Sequence, residues 1–368
     1  MKVFVIGTRG FPHVQGGVEK HCEELFPRLS SLGLDVTVCT RTPHLIKPYK
    51  KEWKGVKFIN LWCPRIKSLE ALSHTFQAFL VARILSPDIL HFQAIGPSLL
   101  IPLAKGLGLK VVMTHHGPDY ERAKWGRLAK KVLKLGERWG CNYADGIIAI
   151  SSGIKKQVKE KFNRETCLIP NGVLIPATRE ERDYVESLGT IPGKYIFAVA
   201  RFVPEKGLHH LISAFSNLDT GWNLVIAGDA DHETEYSRNL KMMAKNTKNV
   251  VLTGFITGEP LEELYSHAGL FILPSYYEGL PIVLLEALSY GLSVLVSDIS
   301  PNREVELDED RYFPVGNETE LTKRLEYWIE QGPLAEKERE EQLEMVRQSY
   351  DWDKIAEETL KVYEAVSG

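Results

Sequence analysis

Cysteine is scarce and unpatterned. The 368 residues hold only Cys22, Cys39, Cys63, Cys141 and Cys167, an odd number with no Cys-x-x-Cys among them. That argues against a zinc ribbon or a secreted disulfide framework and favours a reducing compartment. Long apolar runs are also missing. The best candidate, 97–113, is broken by Pro102, Lys105 and Lys110 well short of the roughly 20 residues that span a bilayer. The opening MKVFVIG turns polar too soon for a signal peptide and reads as a first β-strand. These absences predict a cytoplasmic protein. No His-Glu-x-x-His, G-x-S-x-G, Walker A or zinc spacing occurs either, so those hydrolase and nucleotidase chemistries are set aside.

What is present is globular: 44% hydrophobic, 10% aromatic and 25% charged residues, with Gly and Pro spread throughout. The length suits two domains. The net charge of −3 hides a separation, because residues 1–175 carry 27 Lys and Arg against 13 Asp and Glu, while the remainder carries 18 against 35. A half at +14 and a half at −17 point either to an anionic partner for the first half or to attraction between two lobes.

Both halves alternate strands and helices. In the first, KVFVIG, DVTVCT, VKFIN, DILHF, KVVMTHH, GIIAIS and TCLIP are short β-branched runs, separated by amphipathic segments at 19–32, 68–85, 125–139 and 154–161. In the second, KYIFAVAR, WNLVIAG, NVVLTG, LFILPS and SVLVSD alternate with helical segments near 207–217, 234–245, 259–267 and 281–290. This pattern predicts an α/β fold of two Rossmann-like parallel-sheet lobes facing a cleft. The expected division is 1–172, a polar linker at 173–190, and 191–350. A last helix in 351–368, with Trp352, Ile355, Ala356, Leu360 and Tyr363 in helical register, is expected to pack back on the first domain.

Chemistry concentrates in four places. In YYEGLPIVLLEALSYG, Glu278 and Glu286 flank a helix start, with Pro281 suited to the first helical position. Backbone N–H groups of Gly279 and Leu280 would meet an anion there. Glu286 is a carboxylate in an otherwise apolar helix, which a pair of ribose hydroxyls, an arginine or a loop backbone would satisfy. In ARFVPEKG, Arg201 and Lys206 follow a strand and suit a diphosphate, or else are solvated surface charges. In GTRGFPHVQGGVEKHCEEL, Gly16 and Gly17 precede a helix and permit close approach of a phosphate or sugar. The spacing is not G-x-G-x-x-G, and Arg41 stands where an acidic residue would mark a dinucleotide site; an NADP site could use an arginine, so a dehydrogenase stays only as a weak alternative. In VVMTHHGPDY, His115 and His116 end a strand and face opposite ways, so at most one of them reaches a ligand, the alternative being a packed, hydrogen-bonded histidine. Asp229-Ala230-Asp231 imitates a metal-binding Asp-x-Asp and is taken as a loop.

Taken jointly, Arg201/Lys206, Glu278/Glu286, Gly16–Gly17, His116–Gly117 and Pro170-Asn171-Gly172, spread over nearly the whole chain, resemble the retaining GT-B glycosyltransferases of family four. GTRGFP and HHGPDYERAKWGR are similar to a bacterial subgroup acting on surface polysaccharides. The resemblance implies that Arg201 and Lys206 neutralise the diphosphate of a nucleotide-sugar donor. It implies that Gly16, Gly17, Asn171, Gly279 and Leu280 line the donor, and that the backbone at Phe255 meets the base. Glu286 would hold the ribose, Glu278 the donor sugar, and His116 the region of the reacting carbon. It further implies a saccharide or lipid-linked acceptor, no cofactor and no metal, no nucleic-acid partner, and same-face attack in which the departing phosphate takes the acceptor's proton. A nucleotide-sugar 2-epimerase or a non-catalytic nucleotide-sugar-binding subunit remains the alternative.

The segment ERAKWGRLAKKVLKLGERWG sets Lys124, Arg127, Lys130, Lys131 and Lys134 beside Trp125, Leu128, Leu135 and Trp139. A basic amphipathic helix of this kind predicts peripheral contact with the anionic inner face of a membrane, or a solvated helix lying on the sheet.

Overall fold

The computed structural model describes residues 1–64, 69–121, 126–230 and 232–368, with Leu69 described by its backbone. The chain divides into two units. One is Met1–Gly172 with Asp351–Gly368, and the other is Val173–Tyr350.

The first unit is built on β1 (Lys2–Ile6), β2 (Asp35–Arg41), β3 (Glu52–Trp53), β4 (Val56–Leu61), β5 (Ile89–Gln93), β6 (Val111–His115), β7 (Gly146–Ala149) and β8 (Cys167–Leu168). They lie in the order β3-β4-β2-β1-β5-β6-β7-β8, parallel throughout except for the small β3–β4 ladder. Runs such as Val3–Ile6 and Val111–Met113 are buried on both faces, which is why they are continuously apolar rather than alternating. Right-handed crossovers decide which face each helix covers. The step from β1 to β2 puts helix Gly17–Ser31 on one face. The chain then returns across the sheet, so Leu69–Leu85, Ile101–Gly106, Arg127–Tyr143 and Ser152–Phe162 cover the other. The last helix, Trp352–Ser367, packs beside Gly17–Ser31 through Trp352, Ile355 and Tyr363. The order of strands reverses between β1 and β5, where open α/β sheets present their ligand crevice.

The second unit repeats the plan with β9 (Tyr195–Val199), β10 (Asn223–Ala227), β11 (Val250–Gly254), β12 (Leu270–Leu273), β13 (Val294–Ser297) and β14 (Tyr312–Phe313), in the order β11-β10-β9-β12-β13-β14. Helices Leu208–Ser216, Glu235–Asn246 and Glu318–Gln331 close one face around Ile196, Phe202 and Leu224. The reversal here falls between β9 and β12.

Three features differ from the sequence reading. The stretch 173–190 is no linker, since it belongs to the second unit and forms the helix Asp183–Ser187. Val185 is buried there and donates its N–H to Glu263 at 2.8 Å, while Arg179 pairs with Glu262 at 2.8 Å. Helices Glu318–Gln331 and Glu336–Ser349 were not anticipated, because charged and other polar side chains fill most of their positions. Helix Leu69–Leu85 is not amphipathic, because Leu72, Phe76, Leu80 and Ile84 lie on its exposed side. No helix of the described residues is long and apolar enough to cross a membrane.

Candidate functional site

In the second unit the loops after β9 and β12 meet at the strand-order reversal. Gly207 holds a left-handed φ of +64°, and a Cβ there would lie 2.2 Å from the carbonyl oxygen of Pro274. Only glycine lets the two loops close so tightly. Tyr276 N–H then donates to Glu205 O at 2.9 Å. This seam brings Lys206 Nζ to 2.5 Å from Glu278 Oε1, which also accepts from Ser275 Oγ at 2.6 Å. Both charged groups are largely shielded, with side chains 17% and 10% exposed, and each is the other's counter-charge. The lysine and glutamate singled out in separate motifs are thus one ion pair. Arg201 sits two residues beyond β9, partly exposed in the same loop.

Glu286 lies on the second turn of helix Ile282–Ser289. Pro281 stands one residue earlier than expected, at the N-cap, with Gly279 and Leu280 immediately before it. Leu280 is buried. Glu286 is half-buried rather than enclosed, and it accepts from the buried hydroxyl of Tyr265 at 3.2 Å. Burial and then the Glu286 charge push the Tyr265 hydroxyl well above its ordinary pKa, so it stays a donor. Phe255 is exposed directly after the edge strand β11, where Gly254 O accepts from Gly228 N–H at 2.8 Å. Asp229 pairs with Lys241 at 2.8 Å, which agrees with its reading as a loop residue, and Asp231 lies outside the described residues.

In the first unit, the loop after β1 ends at Gly16, whose φ is +148° and whose Cβ would lie 2.0 Å from Glu19 Oε2. The Glu19 carboxylate tucks under the loop and accepts from Arg9 N–H at 3.0 Å. Gly17 opens helix Gly17–Ser31, and a Cβ there would meet only open space. The two histidines at the end of β6 diverge as the strand geometry requires. His115 is fully buried, accepts from Gly117 N–H at 3.1 Å and donates from Nε2 to Glu137 at 3.2 Å. Burial by itself would raise the Glu137 carboxyl, yet the His115 hydrogen bond, the Lys161 charge and Tyr120 hold it below the usual range. His116 is half-buried, and its Nε2–H donates to Gln93 Oε1 at 2.7 Å.

Gln93, at the end of β5, was not singled out from the sequence, although it is the polar residue closing the run DILHFQ. Its amide nitrogen lies 3.4 and 3.2 Å from the two ring nitrogens of His91. Those nitrogens already meet Tyr363 Oη at 2.7 Å and Thr114 Oγ1 at 2.8 Å. A chain of polar contacts therefore runs from the last helix to His116. Asn171, assigned to the donor, has its side chain buried against His21 at 3.0 Å, so the amide is committed to the interior. His21 Nδ1 donates there, burial lowers its pKa to about 4, and its Nε2 has no hydrogen-bond partner among the described residues. His21 lies edge-on to His116, 4.9 Å between ring centres. It too was passed over, inside the glycine-loop motif.

The basic helix begins at Arg127 and runs to Tyr143. Arg127, Leu128, Lys131, Lys134 and Leu135 are exposed and Lys130 is half-buried. Lys134 also lies over the Tyr120 ring at 5.2 Å. Lys124 and Trp125 lie outside the described residues.

Residues 15–174 match the family described as Glycosyltransferase Family 4, and residues 182–345 match Glycosyl transferases group 1. The chain is 28% identical over 235 residues to a glycosyltransferase of Methanocaldococcus jannaschii, covering 59% of each chain. It spans little more than half the length of the first relatives it matches. A broader match, 25% over 310 residues and 79% of each chain, is to the UDP-Gal:alpha-D-GlcNAc-diphosphoundecaprenol alpha-1,3-galactosyltransferase of Escherichia coli. Among solved structures, the sucrose-phosphate synthase of Thermosynechococcus elongatus superimposes with a TM-score of 0.83 at 20% identity, covering 99% of this chain and 98% of that one. That likeness is one of fold.

Proposed function

Because the chain belongs to the GT-B glycosyltransferases, a Family 4 domain followed by a group 1 domain, we propose that it transfers a sugar from a nucleotide-diphosphate donor to a saccharide or lipid-linked acceptor with retained configuration. The observation that carries this reading is the Lys206–Glu278 pair, held at the strand-order reversal by a glycine seam and followed by a helix bearing Glu286. A shielded cation fixed by a carboxylate suits a diphosphate, since the lysine is pre-positioned and the incoming oxygens bring its second counter-charge. Arg201 supplies the other cation. The N–H groups at Gly279 and Leu280 approach the phosphates, as do those at Gly16 and Gly17. Glu278 keeps one oxygen for donor-sugar hydroxyls, Glu286 takes the ribose, and the backbone beside Phe255 takes the base. Asn171 contributes through its hold on His21 rather than by touching the donor.

In this reading the acceptor oxygen forms a bond to the anomeric carbon on the face from which the diphosphate departs. The carbon–oxygen bond to phosphate breaks, and its electron pair leaves on the diphosphate. The acceptor's hydroxyl proton passes to the departing phosphate oxygen. Arg201 and Lys206 stabilise the charge that develops there, and His116, oriented by Gln93, contacts the donor sugar beside the reacting carbon. The acceptor of the Escherichia coli relative, a sugar on diphosphoundecaprenol, favours a lipid-linked acceptor and a place in surface-polysaccharide assembly. The exposed lysines of helix Arg127–Tyr143 would then meet the anionic inner face of a membrane.

The test is turnover of UDP-, GDP-, ADP- and dTDP-sugars with lipid-linked saccharide acceptors, reading the anomeric configuration of the product by NMR. Acceptor-dependent transfer with retention supports the proposal. Acceptor-independent conversion of the donor sugar would instead identify an epimerase.

A further inference from the structure

Helix Leu69–Leu85 carries a surface that solvation does not explain. Its buried side, His74, Thr75, Ala78, Phe79 and Ala82, faces the sheet. Its opposite side exposes Leu72, Phe76, Leu80 and Ile84, one large apolar residue per turn over about 18 Å. Ile84 is 81% exposed and Phe76 50%. On this helix only Glu70 and Arg83 are charged. A helix apolar all round is ordinarily buried all round, and an exposed apolar row marks a binding surface. Trp62, 69% exposed, adjoins the row because Gln77 donates to its carbonyl at 3.1 Å.

The crossover rule sets this helix on the same face of the sheet as Ile101–Gly106, with exposed Leu103, and the basic helix Arg127–Tyr143, with exposed Leu128 and Leu135. The segment Pro97–Leu100 packs against both long helices. One layer therefore presents an apolar row beside a row of lysines and arginines. We propose that this face inserts into an anionic lipid bilayer, with Leu72, Phe76, Leu80 and Ile84 entering the acyl boundary, Trp62 at the interface, and the Arg127–Tyr143 cations meeting lipid phosphates. The charges provide the anionic selectivity and the apolar row provides hold that salt does not screen. The inference rests on the lipid-linked-acceptor reading and names the element that seats the enzyme at its substrate.

The full chain is sedimented with phosphatidylglycerol/phosphatidylethanolamine vesicles at low salt and at about 1 M salt, where screening acts within roughly 3 Å. Wild type should bind at low salt and keep a substantial bound fraction at high salt. Phe76→Glu/Leu80→Glu should bind at least about tenfold more weakly and be released fully by salt. Arg127→Glu/Lys131→Glu should lose the preference for anionic over neutral vesicles. Complete release of wild type by salt, or wild-type retention of the Phe76→Glu/Leu80→Glu chain, overturns the proposal. So does a wild-type dimer that this variant dissolves, because a second copy then covers the row. Thermal shifts with nucleotide sugars, run on the same samples, report the transfer reading separately and should not change in either variant.

Discussion

Lys206 and Glu278 show how a single contact joins two sequence signals. Each is shielded enough to need the other, so removing one leaves a charge without its partner. Lys206→Ala should abolish transfer and lower stability by about 1–3 kcal/mol, the cost of an unsatisfied shielded charge. Glu278→Gln keeps the shape but leaves the Lys206 charge without its counter-charge, so it should cost a similar amount of stability and most of the activity. Urea unfolding beside a turnover assay separates the two. Equal stability of all three chains would mean that the pair is not a dependent one. Glu286→Gln should retain the hydrogen bond from Tyr265 and raise the donor KM by about tenfold or more with a smaller effect on kcat, because one ribose-binding charge is lost while the cations at the phosphate are untouched. The residues missed from the sequence, Gln93 at the end of an apolar run and His21 inside the glycine-loop motif, carry only a faint local signal. Each becomes informative only when folding sets it against His116.

Elements were legible where one physical rule dominated. Parallel strands buried on both faces must be apolar, so nearly all were visible, and the two that were not, β3 and β14, are two residues long. Helices Glu318–Gln331 and Glu336–Ser349 were hidden because few of their side chains are buried, Leu321, Leu325 and Trp328 in the first and Val346 in the second, and most other positions are polar or charged. The site loops were legible as glycines next to charges, but the reason for the glycines was not. Gly207 is needed for the approach of one protein loop to another, at Pro274 O. Gly207→Ala should therefore cost at least about 1 kcal/mol for the left-handed conformation alone, displace Lys206 from Glu278, and reduce kcat even though alanine removes no functional group. Gly17→Ala meets open space and should leave the unfolding midpoint unchanged. A fall in donor affinity there would show that the glycine is kept for the ligand.

At the scale of the molecule, the charge asymmetry found in the sequence separates along the two units, basic in the first and acidic in the second. Buried histidines separate likewise. His21, His74 and His91 all lie in the first unit, and burial lowers their pKa values to about 4, about 3 and about 3. Each stays neutral when folded but takes a proton when unfolded below pH 6.5. Since the unfolded state then binds more protons, stability rises with pH across the window from about 3–4 to 6.5 and is lost as pH falls through it. Unfolding at pH 5 should take up about three protons through these groups, seen as a steep drop in Tm between pH 6.5 and 4.5. His91→Gln should remove about one proton of uptake. A flat Tm over that range would show that the three rings are protonated in the native state.

The central claim is that Arg201, Lys206 and Glu286 grip a nucleotide-diphosphate sugar. The most direct test is a thermal-shift panel of UDP-, GDP-, ADP- and dTDP-sugars on wild type, Lys206→Ala and Glu286→Ala. At a donor concentration near a hundred times Kd, binding to the folded state adds about 2.7 kcal/mol. One donor class should therefore raise the wild-type Tm by several degrees, with the shift lost in Lys206→Ala and reduced in Glu286→Ala. No shift with any of the four, or an equal shift in all three proteins, would contradict the account.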